Sequence, residues 1–300
     1  MLDQLDTRIG RRNGDEKLSI LIPTWNNLPY LKLVLKSLRL HSVFDHHIIV
    51  LINEGKDGTV EYMRDETDLD YIHCKENVGV CFGLNIARTY ASTPYLFYAN
   101  DDMYFLPGWD KPIMKEIEAI GHDMFMLSSN LIQPFDTGEP LVLVKDYGAG
   151  PDSFEEQRIL KECPDFSKED WNGSTWPPNV MPVKLWDLVG GMSAEFHPGV
   201  SSDWDFSAKC WMAGVRYFKT LGDSFVYHFV GKSTSRMKWN PGRDAFLNKW
   251  GMTPRDFRLK YLRIKEPWNG PLAEVTDFSP FIPTLKRLSS IKRHKPYKHL

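Results

Sequence analysis

Short, almost wholly apolar runs alternate with helix-patterned stretches from Leu18 to Gln133, and this alternation restricts the fold more than any other feature of the chain. Leu18-Ser-Ile-Leu-Ile-Pro23 and His47-Ile-Ile-Val-Leu-Ile52 are too continuously apolar for one-faced strands, so both read as buried strands. Between them Leu31, Val34, Leu35 and Leu38 recur with the helical period. Asn26 and Asn27 stand where that helix needs a cap, and Pro29 falls in its first turn. A turn-rich Asn53-Glu-Gly-Lys-Asp-Gly-Thr59 and a short helix come next, then strand 71–74, helix 79–92, strand 95–99, helix 109–120 and strand 123–128. Parallel neighbours need crossover connections, so this order predicts an α/β fold with helices on both faces of a mostly parallel sheet. Ligands in such sheets bind beyond the carboxyl ends of the strands. The segments Pro23-Thr24-Trp25, Asn53-Glu54, Glu76-Asn77 and Asn100-Asp101-Asp102 are therefore where chemistry is expected.

After Gln133 the texture changes. Residues 134–188 are rich in Pro, Gly, Asp and Trp, have weak periodicity, and predict long loops. Regular signals return as helix 203–213 and strands 215–220 and 224–229. Eight of the ten tryptophans lie from Trp171 onward, where they either pack a loop-rich half or offer stacking faces to sugar rings.

Composition excludes several classes. At 300 residues, 42% hydrophobic and 25% charged, the chain is neither disordered nor a disulfide scaffold. A net charge of -2 argues against nucleic-acid binding over the whole surface. It conceals a segment, Lys286 to Leu300, with six Lys/Arg and no acid, which is either a solvated tail or a basic foot for an anionic membrane surface. Cys74, Cys81, Cys163 and Cys210 have no zinc-like spacing. Met1 to Lys17 lacks a signal-peptide apolar region, and no run approaches the ~20 apolar residues of a membrane span, so a cytoplasmic protein is expected.

Four groups of residues could carry a reaction. Asn100-Asp101-Asp102 closes the apolar strand Tyr95-Leu-Phe-Tyr-Ala99. It could present oxygen ligands to Mg²⁺ or Mn²⁺, or merely cap the turn into Leu106-Pro107-Gly108. His228 ends a strand and could pack there, or join Asp102 on a metal. Asp203-Trp204-Asp205 opens a helix, so one acid could cap while the other serves as a general base. Gly190-Gly191 is either an ordinary turn or a place where backbone approaches a ligand closely.

Taken in order, Ile22-Pro-Thr-Trp-Asn-Asn27, Asn77-Val-Gly79 with Gly83-Leu-Asn-Ile-Ala87, and Leu96-Phe-Tyr-Ala-Asn-Asp-Asp102 resemble the family 2 glycosyltransferases of the GT-A fold. So do Val189-Gly-Gly-Met-Ser-Ala-Glu-Phe196, Ser202-Asp-Trp-Asp205 with Gly214, and Phe246-Leu-Asn-Lys-Trp-Gly251. The resemblance runs from about residue 18 to 251. It implies that Pro23, Thr24 and Trp25 line the nucleotide site, with Asn53 or Glu54 at the end of the second strand and Asn77 and Gly79 nearby. It further implies that Asn100, Asp101 and Asp102 occupy the Asp-x-Asp position, with Asp102 binding the metal and Asn100 near the ribose. Asp203 matches the catalytic base and His228 a histidine near the metal, while Gly190, Gly191, Trp204 and Asp205 fall on the acceptor side. The chain departs from the family in having Asn53-Glu54-Gly55-Lys56 for acid-acid-Gly-Ser, Asn100 for the first acid of Asp-x-Asp, and Ser202 for the acid before Asp203. It also lacks the Gln of the processive members' Gln-x-x-Arg-Trp, which points to distributive action.

The function so implied is an inverting, metal-dependent glycosyltransferase of polysaccharide biosynthesis. It would move a sugar from a nucleotide-diphosphate donor to a hydroxyl of a glycan or lipid-linked acceptor, using Mn²⁺ or Mg²⁺, with Asp203 as a base of ordinary pKa. A nucleotidyltransferase acting on a sugar phosphate is the rival enzyme, although Pro23-Thr-Trp-Asn-Asn27 has no Gly or basic residue to cradle a triphosphate. A catalytically decayed carbohydrate-binding protein is the non-enzymatic rival. The expected organisation is a polar segment 1–17, a nucleotide-sugar half 18–133, an acceptor half 134–255 of the same GT-A domain, and an extension 256–300 whose basic tail could touch the inner face of the membrane.

Overall fold

The computed structural model describes residues 5–173, 176–231 and 242–275. The basic 286–300 segment, and any membrane contact it makes, lies outside them. Eleven strands form one sheet: β1 (Leu5–Arg8), β2 (Ser19–Trp25), β3 (His47–Asn53), β4 (Asp70–Cys74), β5 (Tyr95–Tyr98), β6 (Met103–Phe105), β7 (Phe125–Gln133), β8 (Leu143–Val144), β9 (Trp171–Asn172), β10 (Asn179–Pro182) and β11 (Tyr217–His228). The order across the sheet is β1-β4-β3-β2-β5-β10-β7-β11-β6, with β8 beside β7 and β9 beside β11. Strands β4, β3, β2 and β5 run parallel, as do β7 and β11. The helices are α1 (Leu28–His41), α2 (Thr59–Asp65), α3 (Gly79–Arg88), α4 (Asp110–Ile120), α5 (Glu156–Glu162), α6 (Val183–Leu188), α7 (Ser202–Met212) and α8 (Gly242–Trp250). α1, α2 and α3 supply the crossover connections that the parallel strands β2, β3, β4 and β5 require, and α4 leads from β6 into β7.

Burial explains the parallel half. Every residue of β3 is buried, as are Ser19 to Thr24 of β2, because helices cover both faces. α1 turns Leu31, Val34, Leu35 and Leu38 into that core. Asn27 does occupy the N-cap position of α1, but its side chain makes no capping bond; Asp57 Oδ2 instead accepts from the Leu28 N–H at 2.7 Å. Asn26, at φ 46°, donates to Glu54 Oε2 and accepts from the Lys56 N–H, tying the ends of β2 and β3 together.

Several features differ from the sequence expectation. The polar N-terminal segment contributes β1, which pairs antiparallel with β4 at the sheet edge. The expected helix 79–92 stops at Arg88, and the strand expected at 123–128 runs on to Gln133. The 134–188 region is not merely loop: it supplies α5, α6 and β10, and β10 lies antiparallel between β5 and β7. The two late strands are one strand, β11, whose pairing with β7 slips register between Leu221 and Phe225 across Gly222-Asp223. A separate aromatic cluster of Tyr104, Tyr147, Tyr227 and Phe229, with Phe154 against it, holds the α5 region onto β6 and β11.

Candidate active site

The carboxyl ends of β2, β3 and β5, the approach to α3 and the start of α7 converge on one cavity of about 340 Å³. Pro23, Thr24 and Trp25, Asn53, Asn77 and Gly79, Asn100, Asp101 and Asp102, and Asp203 with Trp204 all line it. Residues far apart in the chain are thus brought together at the place where an α/β sheet binds ligands.

Local bonding fixes each wall. Asn53 Oδ1 accepts from the Val78 N–H at 2.9 Å, and Asn77 Oδ1 from the Gly79 N–H at 2.8 Å, so both asparagines shape the loop into α3. Gly79 has φ +70°, and a Cβ there would lie 2.7 Å from His197 Nδ1, so packing as well as backbone demands glycine. Asp101 and Asp102 occupy the short link from β5 into β6, a strand the sequence did not announce. Thr24 Oγ1 donates to Asp101 Oδ2 at 2.6 Å, joining β2 to that link.

Asp102 is buried and faces His228, with Nε2 3.3 Å from Oδ1; Oδ2 accepts from the Gly231 N–H at 2.7 Å. Burial raises its pKa, but the His228 charge and hydrogen bond and the Gly231 N–H outweigh that and hold the carboxyl below its usual range. His228 is off the cavity wall and is oriented through Nδ1, 3.0 Å from Gln133 Nε2. A carboxylate and an imidazole at this separation fit adjacent positions around a divalent cation, which with bonds near 2.1 Å lie about 3 Å apart. Among the described residues no group of three or more His, Cys, Asp or Glu could hold a metal, so such an ion would take the rest of its shell from substrate phosphate and water.

Asp203 stands in the first turn of α7, after Ser201 at φ 66°. Its pKa is pushed up to about 6 by burial, against the Trp204 N–H and the charge of Arg258, which both lower it. This corrects the expectation of an ordinary carboxylate. The Tyr98 phenol, buried at the end of β5, is raised by burial and further by Asp203, Asp101 and Asp102, which shows how closely the three acids converge.

The remaining expected residues lie elsewhere. Asp205 is fully buried, accepting from Ser193 Oγ and Trp250 Nε1 and paired with Lys249 at 2.9 Å, so it braces α7 against α8 and does not meet the cavity. Two helical positions are ~200° of arc, which separates it from Asp203. Gly191 packs against Asn85 and Trp186, and Gly190 is an exposed turn residue, so neither is on the wall. Glu54 bonds Asn26, Lys56 and Trp25 just outside it, and these partners lower its pKa. Sequence reasoning missed Trp176, Pro198 and Ser201, all on the wall. Ser201 Oγ is buried without a hydrogen-bond partner among the described residues. The signal for Pro198 and Ser201 was a Pro/Gly-rich approach to Asp203, Pro198-Gly199-Val200-Ser201, and Trp176 was covered only by the general reading of the late tryptophans.

The fold matches that of GT-A glycosyltransferases of known structure. A mannosyltransferase from Pyrobaculum calidifontis, PcManGT, solved with GDP-Man and Mn²⁺, is similar at 16% identity over 93% of this chain and 70% of that one, TM-score 0.52. GalNAc-T7, solved with UDP, GalNAc and Mn²⁺, is similar at 12% identity over 83% of this chain and 51% of that one, TM-score 0.60. Residues 19–167, just under half of the chain, match the model of glycosyl transferase family 2. YwdF of Bacillus subtilis (strain 168), an uncharacterized glycosyltransferase, is 26% identical over 195 residues, 63% of this chain and 66% of its own length. No helix among the described residues is long and apolar enough to cross a membrane.

Proposed function

We propose that the protein transfers a sugar from a nucleotide-diphosphate donor to an acceptor hydroxyl, with inversion at the anomeric carbon and with a divalent cation as cofactor. The observation that carries this reading is that Asp203, with its raised pKa, and Asp102, with its lowered one, share one cavity at the carboxyl edge of the sheet. Two acids held in opposite senses suit two tasks: one stays ionised beside a cation, the other takes a proton near neutrality. That PcManGT was solved with GDP-Man and Mn²⁺, and GalNAc-T7 with UDP, GalNAc and Mn²⁺, supports the donor class and the metal.

In this reading Pro23, Thr24, Trp25, Asn53 and Asn77 hold the nucleotide, and Asn100 and Asp101 lie toward the ribose and diphosphate. Asp102 and His228 would hold Mn²⁺ or Mg²⁺, which when bound offsets the charge developing on the leaving diphosphate. Asp203 accepts the acceptor hydroxyl's proton at a carboxylate oxygen as the oxygen attacks C1 from the face opposite the diphosphate. One carboxylate acting as base needs no covalent sugar intermediate, which supports single displacement. Trp176 and Trp204 offer ring faces to a sugar. A cytoplasmic enzyme of polysaccharide assembly completes the reading.

A thermal-shift screen of UDP-, GDP-, dTDP- and CMP-sugars, with and without Mn²⁺, tests it. The matching donor should raise Tm with the logarithm of its concentration once above Kd, and chelation by EDTA should abolish both the shift and turnover. Turnover that survives EDTA refutes the metal role, and no donor binding at all refutes the reading.

A further inference from the structure

A second cavity, of about 860 Å³, lies across Trp204 from the first, and that indole lines both. Its wall carries Arg243, Arg255, Arg258 and Lys265 against only two acids, Glu139 and Asp244. Glu139 is already committed, paired with Arg258 at 2.5 Å. Arg258 lies against Trp176 and Trp204, its guanidinium carbon 5.1 and 5.4 Å from their ring centroids. Both members of the pair retain a buried atom without a hydrogen-bond partner among the described residues, Arg258 Nε and Glu139 Oε2. Arg243 and Arg255 are exposed and form no ion pair with any acid among the described residues. Lys265 makes one long bond, 3.2 Å, to the Gly138 carbonyl. Among the described residues the cavity wall therefore carries a cationic excess, and Leu247 and Leu259 also line it.

We infer that this second cavity is an acceptor subsite for an oxyanion, so that the acceptor carries a phosphate or carboxylate close to the hydroxyl that reacts. The inference rests on the proposed transfer reaction and names the substrate class of its acceptor side. An acceptor lying over Trp204 places its hydroxyl at Asp203 and its charged group among the arginines, whose planar donor forks match both oxyanions. Arg258 then has two roles: it is a wall of the subsite, and its charge tempers the rise in the Asp203 pKa that burial causes.

Titration of the full chain with glycerol 1-phosphate, glucuronate and glycerol at matched ionic strength tests this without any donor present, by isothermal calorimetry or ligand-observed NMR. Glycerol 1-phosphate or glucuronate should bind and glycerol should not; whichever oxyanion binds identifies the source. In Arg243→Ala/Arg255→Ala the binding should weaken about tenfold, as expected when charge-assisted contacts are lost. UDP and GDP affinities should stay unchanged, because neither arginine is on the donor wall. The milder Arg243→Gln/Arg255→Gln repeats the measurement should the alanine variant lose its circular-dichroism signature. Equal oxyanion binding by wild type and variant, or none by wild type while a nucleoside diphosphate binds, overturns the subsite and leaves the transfer reaction standing. Failure of every nucleotide to bind overturns the transfer reaction, while a selective oxyanion loss in the variant still establishes an anion site.

Discussion

The Asp203 carboxylate makes a quantitative demand on the pH profile. A base with a pKa of about 6 is only about one-tenth ionised at pH 5 and almost wholly ionised at pH 8, so kcat/KM should fall roughly tenfold across that interval. An unperturbed Asp near ~4 would keep about nine-tenths of its activity at pH 5. The assay is release of nucleoside diphosphate from pH 4.5 to 8 at constant ionic strength and at two Mn²⁺ concentrations. The acid limb should not move with metal, which separates Asp203 from the Asp102–His228 pair. Asp203→Asn should lower turnover by about 10²–10⁴, the usual contribution of a positioned base. The same substitution should raise stability. Burial makes the folded state hold the Asp203 proton more tightly than the unfolded chain, so stability is lost as pH rises from 3.8 through about 6. Removing that charge at pH 7 should return about 1–3 kcal/mol, a few degrees in Tm. A dead variant that is also more stable excludes unfolding as the cause. A limb near pH 4, or Asp203→Asn turning over within tenfold of wild type, refutes the assignment.

Three further outcomes are expected. Asp102→Ala should abolish both turnover and the metal-dependent part of the donor thermal shift, while far-ultraviolet circular dichroism stays native; retained metal dependence would place the cation elsewhere. Gly79→Ala combines a φ of +70° with a Cβ 2.7 Å from His197 Nδ1 and should cost about 1–3 kcal/mol in urea unfolding, with weaker donor binding because the α3 loop moves. Asp70 is fully buried and bonded to His47 at 2.8 Å, to Arg12 and to the Gly10 N–H, so Asp70→Ala should cost about 3–5 kcal/mol. Although burial raises the Asp70 pKa, these partners lower it below its unfolded value, so its stabilisation is present above pH 3.8 and is lost on acidification below that.

What could be read from the residues alone divides along a physical line. β2 and β3 were legible because strands buried on both faces must be apolar throughout, as Ile20–Ile22 and Ile48–Ile52 are. β10 was not, because Asn179-Val-Met-Pro182 is short and hemmed by prolines, and its partners lie some fifty to ninety residues earlier in the chain. β1 was hidden because an edge strand such as Leu5-Asp-Thr-Arg8 can remain polar. In the site, Thr24, Asn53, Asn77, Asp102 and Asp203 could be placed because strand ends and helix starts are local signals. The residues alone left Asp203 and Asp205 open and only the family resemblance pointed to Asp203, while placing Trp176 and Ser201 required the folding of loops over long distances.

The position of β10 also governs the order in which the molecule can be completed. Strand β5 has no hydrogen-bonded link to β7 except through β10, so a nascent chain that has emerged only to residue 167 holds two sheet fragments with bare edges facing each other. Those edges stay open until residues 179–182 arrive, and open edges recruit other chains. A fragment cut where the family match ends should therefore aggregate, and the smallest soluble piece should run through β10 and on to His228 of β11, which covers the other edge of β7.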